Sequence, residues 1–258
     1  MDLRRWLAQD APDFALAIQF LTRLPVPEVE FSEASAKRSV GWYPLVGLLV
    51  GAVTAGVFCL AALVVPQVMA ALIAVAAGLM LTGALHEDGL ADLCDGLGGS
   101  RGDPARALAI MRDSAIGAYG ALGLGMALAL RITALATLPV WAVPVALIVG
   151  ATVSRASMVR AMSGADYVRP QGAGSAVAGA MAEAVLQRAL ITAVAVAVLG
   201  WPLLGFWAGI CGAMGVAAAH LGLRRIYESR LGGYTGDCLG AVQIVSEVGF
   251  VVGLMVGI

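Results

Sequence analysis

Long apolar runs separated by short polar segments dominate the chain from residue 41 onward. Seven runs approach the roughly 20 apolar residues that a helix needs to cross the hydrocarbon core of a bilayer. They lie at 41–65, 67–85, 117–139, 141–162, 185–200, 202–223 and 241–258. Only helices or closed barrels satisfy their backbone groups in lipid. The pattern therefore predicts an all-α polytopic transmembrane helical bundle of about six to seven spans.

The connections between these runs differ in charge. The breaks at 65–66, 139–141 and 201–202 are short, uncharged and contain Pro or Trp, as turns near lipid headgroups often do. The other connections carry most of the arginines, and the positive-inside rule places them in the cytoplasm. Residues 1–40 are then a cytoplasmic segment, within which 10–24 is expected to form an interfacial helix.

Composition supports a membrane protein with one domain. The chain is 60% hydrophobic and 13% charged, whereas soluble domains average about a quarter charged. No repeat or large hydrophilic block divides it, so residues 1–258 are interpreted as a single integral membrane domain whose partner is the lipid bilayer. The net charge of −1 gives no electrostatic reason to expect a nucleic-acid partner.

The segment 86–96 concentrates four acids directly after an apolar run. If the helix continues, Asp88, Asp92 and Asp95 occupy positions i, i+4 and i+7 and share one face. Like charges repel unless a cation lies between them, and hard divalent cations prefer carboxylate oxygens. We therefore expect Mg²⁺ or Mn²⁺ here rather than a solvated acidic loop. His86 is a candidate general base, an orienting group or a member of the metal shell.

Further polar residues extend this region to an acidic active-site connection at 86–116. Asp113 and Ser114 follow a short helix predicted from Pro104, and Asp113 is a candidate to complete the metal shell. Arg101 and Arg112 flank the acids, and guanidinium groups match phosphate oxygens. Each arginine alone is equally well explained as a positive-inside anchor, but the group indicates a diphosphate substrate.

A glycine-rich turn precedes the last predicted span. Its backbone N–H groups could form an anion nest, although a plain helix connector is the simpler interpretation of such a turn. The residues of interest are Gly233, Thr235, Gly236 and Asp237.

Three charged residues fall inside predicted spans. Arg131 and Glu247 could pair with each other, because an unpaired charge in the hydrocarbon region is costly. Arg155 lies nearer the inner end of its span and is a candidate phosphate contact.

Five ordered motifs resemble the adenosylcobinamide-GDP ribazoletransferase family, also called cobalamin synthases. They are Phe-Leu-Thr-Arg-Leu-Pro-Val-Pro at 20–27, Pro-Leu-Val-Gly at 44–47, the acidic segment 86–96, Met-Arg-Asp-Ser at 111–114 and the glycine-rich turn at 232–241. One departure is Ala115, where the family often has a basic residue. A phosphate contact from that position is absent here.

The resemblance implies Mg²⁺-dependent transfer of phosphocobinamide from adenosylcobinamide-GDP to α-ribazole or its 5′-phosphate, with release of GMP. It also implies a multi-pass protein of the bacterial inner membrane with a cytoplasm-facing active-site cavity. Whether the protein forms a homo-oligomer is left open. On this interpretation the catalytic residues are His86, Asp88, Asp92, Asp95 and Asp113, of which the four aspartates bind metal. The substrate-binding residues are Arg23, Arg101, Arg112, Ser114, Arg155, Gly233, Thr235, Gly236 and Asp237.

Two alternatives were weighed against this assignment. A CDP-alcohol phosphotransferase also clusters aspartates, but its D-x-x-D-G-x-x-A-R string is absent, since Gly96 is followed by Leu-Gly-Gly-Ser-Arg. An ion-coupled transporter would use Arg131 and Glu247 as part of its path, but its acids should be spread through the spans. Here the acids gather at one side of the membrane.

Overall fold

The computed structural model describes residues 10–169, 177–179 and 181–258. Within them the chain folds as a helical bundle, and the one β-type feature is an isolated bridge between Tyr167 and Tyr234. Arg4 and Arg5, two basic residues of the N-terminal segment that is predicted to be cytoplasmic, lie outside the described residues. The helices are α1 (Ala11–Leu21), α2 (Glu33–Ser39), α3 (Tyr43–Ala62), α4 (Gln67–Thr82), α5 (Leu85–Gly99), α6 (Pro104–Ile110), α7 (Ala118–Thr137), α8 (Ala142–Met162), α9 (Glu183–Leu204), α10 (Phe206–Leu231) and α11 (Gly236–Gly257).

Six helical segments in the described part of the chain are long and apolar enough to cross a membrane. Helices α2 and α3 form one of them together with the short 3₁₀ turn Val40–Trp42, and α7 to α11 are the others. The pair α4 and α5 passes the same test jointly but is bent by 90°. If α4 crosses as part of this pair, the count is seven. The predicted all-α bundle of six to seven spans is confirmed.

The bend between α4 and α5 is made by two consecutive residues with left-handed backbones. Gly83 has φ 66° and Ala84 has φ 56°. Glycine adopts this conformation without cost, whereas alanine does so with strain. Because of the bend, α5 runs across the ends of other helices instead of continuing the direction of α4.

One predicted turn is misplaced. The sequence suggested a break at 201–202, but α9 continues through Pro202 and ends at Gly205, which has φ 89°. A proline in the last turn of a helix is tolerated more readily than one in the middle, and a glycine with positive φ ends the helix. The following span therefore begins at Phe206.

Two apolar clusters fill the two ends of the bundle. One contains Leu135, Leu147 and Leu254, and the other contains Tyr43, Leu93 and Tyr234. A buried polar layer separates them: the predicted pair Arg131 and Glu247 forms an ion pair, and Gln243 donates to the second Glu247 oxygen at 2.7 Å. The end of the bundle that holds α5 is called the site end below.

Candidate active site

Helix α5 packs first against the start of α11 and then against the start of α7. A Cβ added at Gly89 would lie 3.0 Å from the Asp237 Cα, so a side chain there would require α5 or α11 to shift by a few tenths of an ångström. The acidic motif is helical as expected, but its helix does not continue the preceding one, because the 90° bend separates α4 from α5. The aspartates on its face therefore have different neighbours, because the crossing helices differ along its length.

Asp88 and Asp92 lie on the part of α5 that faces Asp237. Asp88 is exposed, whereas Asp92 and Asp237 are partly buried. The strongest like-charged neighbours of the Asp92 carboxylate are Asp237 and Asp88. Three carboxylates from two helices, residues distant in sequence, thus share one region of negative charge, which a cation or a cationic side chain would stabilise.

Arg169 supplies a positive charge to this region, and the sequence did not identify it as a site residue. Its guanidinium contacts the Asp237 carboxylate at 2.8 Å and also donates to the Met111 carbonyl at 3.2 Å. In the sequence, Arg169 is one of many arginines in the polar connections, and nothing distinguishes it from the others. The contact to Asp237 depends on how a loop far from α5 folds.

The loop that carries Arg169 is fixed to the glycine-rich turn. The Val168 N–H donates to the Tyr234 carbonyl at 3.0 Å, and the Tyr234 N–H donates to the Asp166 carbonyl at 2.9 Å. The rings of Tyr167 and Tyr234 meet edge to face at 5.4 Å. Burial is the main cause that raises the pKa of Tyr167 above its ordinary value, so this phenol is neutral at physiological pH.

The glycine-rich turn acts locally as a helix connector. Gly232 ends α10 with φ 76° and donates to the Glu228 carbonyl. Thr235 is fully buried and caps α11 by accepting from the Cys238 N–H at 3.3 Å, while Gly233 packs against the Asp166 backbone. Gly236 and Asp237 of this turn border the enclosed cavity described below.

Asp95 has a different environment from the other two aspartates of α5. It is 8% exposed, and its two carboxylate oxygens accept from the Gly117 N–H at 2.7 Å and the Gly120 N–H at 2.9 Å. Carboxylates at helix N-termini are stabilised by the free N–H groups and the helix dipole. In this structure Asp95 therefore anchors α5 to the start of α7.

Asp113 lies with Asp95 at a second, more open cavity of about 620 Å³, which Arg106 also borders. Asp113 is exposed, and its carboxylate accepts from the Ala115 N–H at 3.1 Å. The predicted residues Arg101, Arg112 and Ser114 are exposed as well. Asp113 thus borders a different cavity from Asp88 and Asp237.

A more enclosed cavity of about 190 Å³ adjoins those carboxylates. Its polar border includes His86, Asp88, Arg169 and Asp237, and the remaining lining is mainly apolar and aromatic. His86 is 2% exposed, and its Nε2 atom has no hydrogen-bond partner among the described residues. His86 and Asp88, two of the predicted catalytic residues, therefore lie at one cavity, and their catalytic roles stay predictions.

The last two predicted substrate contacts lie apart from the carboxylates. Arg155 is 2% exposed and donates to the Ala151 carbonyl on its own helix at 3.0 Å, with His86 among its charged or titratable neighbours. Arg23 is exposed, and its guanidinium packs against Gly83 at the bend. Its backbone N–H donates to the Leu81 carbonyl at 2.8 Å.

The carboxylates provide the right type of donor for Mg²⁺, but they do not form a closed shell. Across residues 10–169, 177–179 and 181–258, no three Asp, Glu, His or Cys side chains converge closely enough to hold a metal ion. Asp88, Asp92 and Asp237 come nearest to such a set in charge and placement. The predicted magnesium site therefore stays a prediction.

Comparison with known proteins gives consistent matches over nearly the whole chain. The model of the cobalamin-5-phosphate synthase family matches residues 13–255. An adenosylcobinamide-GDP ribazoletransferase from Leptothrix cholodnii is 42% identical, and the match covers 98% of each chain. The proteins of the same name from Ralstonia nicotianae and Shewanella woodyi are 43% and 37% identical, over 90% and 94% of this chain and 90% and 95% of theirs. No solved structure matches.

Proposed function

The chain belongs to the cobalamin-5-phosphate synthase family, and we propose that it transfers the phosphocobinamide group of adenosylcobinamide-GDP to α-ribazole or α-ribazole 5′-phosphate. Family membership makes it an enzyme of cobalamin biosynthesis and a multi-pass membrane protein. The proposal adds the two substrates, the metal and the residues that act on them. Its main structural support is that Asp88, Asp237 and Arg169 border one cavity, and that Asp92 has all three among its charged neighbours.

The diphosphate of the donor is proposed to bind where the carboxylates and Arg169 meet. Mg²⁺ would be held by one or two of the carboxylates of Asp88, Asp92 and Asp237 together with the diphosphate of the substrate, and it would supply charge neutralisation for the phosphoryl group. Arg169 would contact a phosphate oxygen directly, since its fork of N–H donors suits such oxygens. Asp95 and Asp113, the other predicted metal ligands, border the separate cavity, so their part in catalysis needs its own test.

The reaction proposed is a displacement at the phosphorus atom nearer cobinamide. A ribose hydroxyl oxygen of the acceptor forms a bond to this phosphorus, and the bond from phosphorus to the oxygen of GMP breaks. The hydroxyl proton passes to His86 or to one free carboxylate, both of which lie at the cavity. The chain's own contribution is to position the hydroxyl in line with the leaving group and to stabilise the charge that develops.

From the positive-inside pattern, we propose that the site end of the bundle lies at the cytoplasmic face of the inner membrane. The large corrinoid would then lie along the interface while its nucleotide arm enters the site. This arrangement keeps the polar reactants out of the hydrocarbon region.

A reconstitution assay tests the proposed reaction. Purified protein is incubated with adenosylcobinamide-GDP, α-ribazole and Mg²⁺, and GMP and the cobalamin product are quantified. We expect equal amounts of the two products. Folded protein that forms neither product would contradict the proposal.

A metal-removal experiment tests the site. We expect EDTA to abolish turnover and Mg²⁺ to restore it, and we expect Asp92→Asn to lower kcat at least about 100-fold because the site loses a charge needed for the metal. Glu183→Gln is the control, since Glu183 is an exposed acid at the start of α9. Near-normal turnover of Asp92→Asn, or full activity in EDTA, would remove this metal site from the mechanism.

A further inference from the structure

The enclosed cavity beside His86 is lined mainly by apolar and aromatic side chains, which a phosphate group does not need for binding. Phe20 from α1 and Tyr43 from the start of α3 form one wall, with ring centroids 6.0 Å apart and planes 11° from parallel. Met158 and Met162 of α8 and Leu239 of α11 belong to the remaining apolar lining. Aromatic rings and methionine side chains favour contact with a flat apolar group.

Two polar groups at this lining are buried, and both side chains are 2% exposed. The Nε2 atom of His86 has no hydrogen-bond partner among the described residues. In the described part of the chain, the Tyr43 hydroxyl has only the Ser39 hydroxyl beside it, and Ser39 already donates to the Ala36 carbonyl at 2.7 Å. A buried polar atom without a partner costs free energy, and such atoms are normally hydrogen-bonded. The cavity therefore offers hydrogen bonds at a few points and apolar contact elsewhere.

The size of the cavity restricts its occupant. Pockets that take drug-sized ligands measure roughly 300–1,000 Å³, so about 190 Å³ accommodates a fragment of the size of one fused bicyclic ring. A corrin macrocycle is far too large. The occupant must be one arm of a substrate and not the corrinoid body.

Three bicyclic rings take part in the proposed reaction: the guanine and the adenine of adenosylcobinamide-GDP, and the base of α-ribazole. Guanine has a carbonyl, an N–H and an amino group along one edge, and adenine has an amino group and three unsubstituted ring nitrogens. Each of these polar groups would need its own partner in a mostly apolar wall. The base of α-ribazole is a benzimidazole with two methyl groups and one unsubstituted ring nitrogen. That nitrogen can accept one hydrogen bond, for which the Tyr43 hydroxyl is a donor.

We infer that this cavity binds the aromatic base of the acceptor nucleoside. This inference rests on the proposed function and adds to it the part of the protein that selects the acceptor. With the base between Phe20, Tyr43 and Met158, the attached ribose lies toward His86 and Asp88 at the polar border. The hydroxyl that attacks phosphorus is then held beside the carboxylates on α5 and α11.

A change of cavity size tests the inference. Met158→Phe adds bulk to the wall, and Met214→Phe is its control because Met214 is 65% exposed on α10. We expect Met158→Phe to raise KM for α-ribazole at least about tenfold while KM for adenosylcobinamide-GDP changes less than about twofold. The analogue of α-ribazole that lacks both methyl groups should recover most of the loss, since it needs less space.

The recovery by a smaller acceptor is the decisive result, because a merely misfolded variant would lose both acceptors equally. Tyr43→Phe is the milder second variant, and it should raise KM for α-ribazole roughly fivefold through one lost hydrogen bond. Equal losses for the two acceptors, or a larger effect on KM for adenosylcobinamide-GDP, would overturn the inference.

Direct binding separates this inference from the proposed reaction. Equilibrium dialysis of labelled α-ribazole with the full chain in detergent requires no turnover. Wild-type protein and Met214→Phe should bind it, and Met158→Phe should bind it at least about tenfold more weakly. Undiminished binding by Met158→Phe would refute the base pocket even if the enzyme is active, whereas absence of turnover with normal binding would count against the proposed reaction alone.

Discussion

Arg131 and Glu247 show how single residues are tolerated inside this bundle. Each side chain is less than a tenth exposed, and an isolated charge in such a place would be strongly unfavourable. The ion pair and the donation from Gln243, which also donates to the Ser154 hydroxyl at 3.0 Å, satisfy the carboxylate. The pair therefore lets α7 and α11 pack in the membrane without an uncompensated charge.

Removal of one partner of this pair is expected to cost far more than removal of both. Arg131→Met should lower the free energy of unfolding by about 3–5 kcal/mol, because it leaves a buried carboxylate without its partner. The double variant Arg131→Met with Glu247→Met should be less destabilised than Arg131→Met alone. Thermal unfolding in detergent measures both. Additive losses would show that the two side chains do not stabilise each other.

At the scale of helices, the site depends on how closely α5 crosses α11. The backbone of α5 at Gly89 rests on the backbone at Asp237, and Gly240 of α11 in turn lies against the His86 backbone. Side chains at either glycine would push the two helices apart. The distance between the carboxylates of Asp88 and Asp237 is therefore set by two residues that carry no functional group.

Gly89→Ala is expected to reduce kcat at least about tenfold, because its Cβ would lie 3.0 Å from the Asp237 Cα and carbonyl oxygen and α5 must shift. Gly222→Ala, in α10, is the matched control, since a Cβ there meets nothing within 4 Å. This control should stay active and gain a few tenths of a kcal/mol up to about 1 kcal/mol in stability. Equal activity of the two variants would mean that the close crossing is not needed for catalysis.

Across the whole molecule, the two ends of the bundle differ in the residues that join the helices. At the end opposite the site, the joints are short, and Gln67 at the start of α4 donates to the carbonyls of Leu135 and Leu138 at the end of α7. This contact places the joint before α4 beside the joint after α7. At the site end, the connections are longer and contain the arginines and most of the acids.

Accessibility of single cysteines tests the proposed orientation. In a background without the native cysteines, V64C and V140C should react with a membrane-impermeant maleimide added outside intact spheroplasts. A115C and S229C should react only in inverted vesicles. All four positions are exposed in the structure. Labelling of Ala115 and Val64 positions from the same side would contradict the orientation.

Local patterns predicted much of this fold because they depend on neighbours in sequence. Apolar length predicted most span ends to within a few residues, although α10 continues to Leu231, well past its predicted end at 223. The acidic segment is helical, which is the condition under which Asp88, Asp92 and Asp95 were expected to share one face. The end of α9 was predicted at Pro202, but the helix continues through this proline and is ended by Gly205. The pairing of Arg131 and Glu247 was predictable because each charge needs a partner inside the membrane. The geometry of their contact was not predictable.

Tertiary structure decided what the candidate site contains. The sequence by itself determined a helical membrane protein with an acidic cluster at one end, since hydrophobic length and helical spacing are local properties. Which carboxylates meet depends on helix crossings, and these brought Asp237 to Asp88 and Asp92 but joined Asp95 to α7. Arg169 and the ring of Tyr43 reached the cavity through packing between distant segments. No local pattern encodes such contacts, because they arise only when separate helices bury their surfaces together.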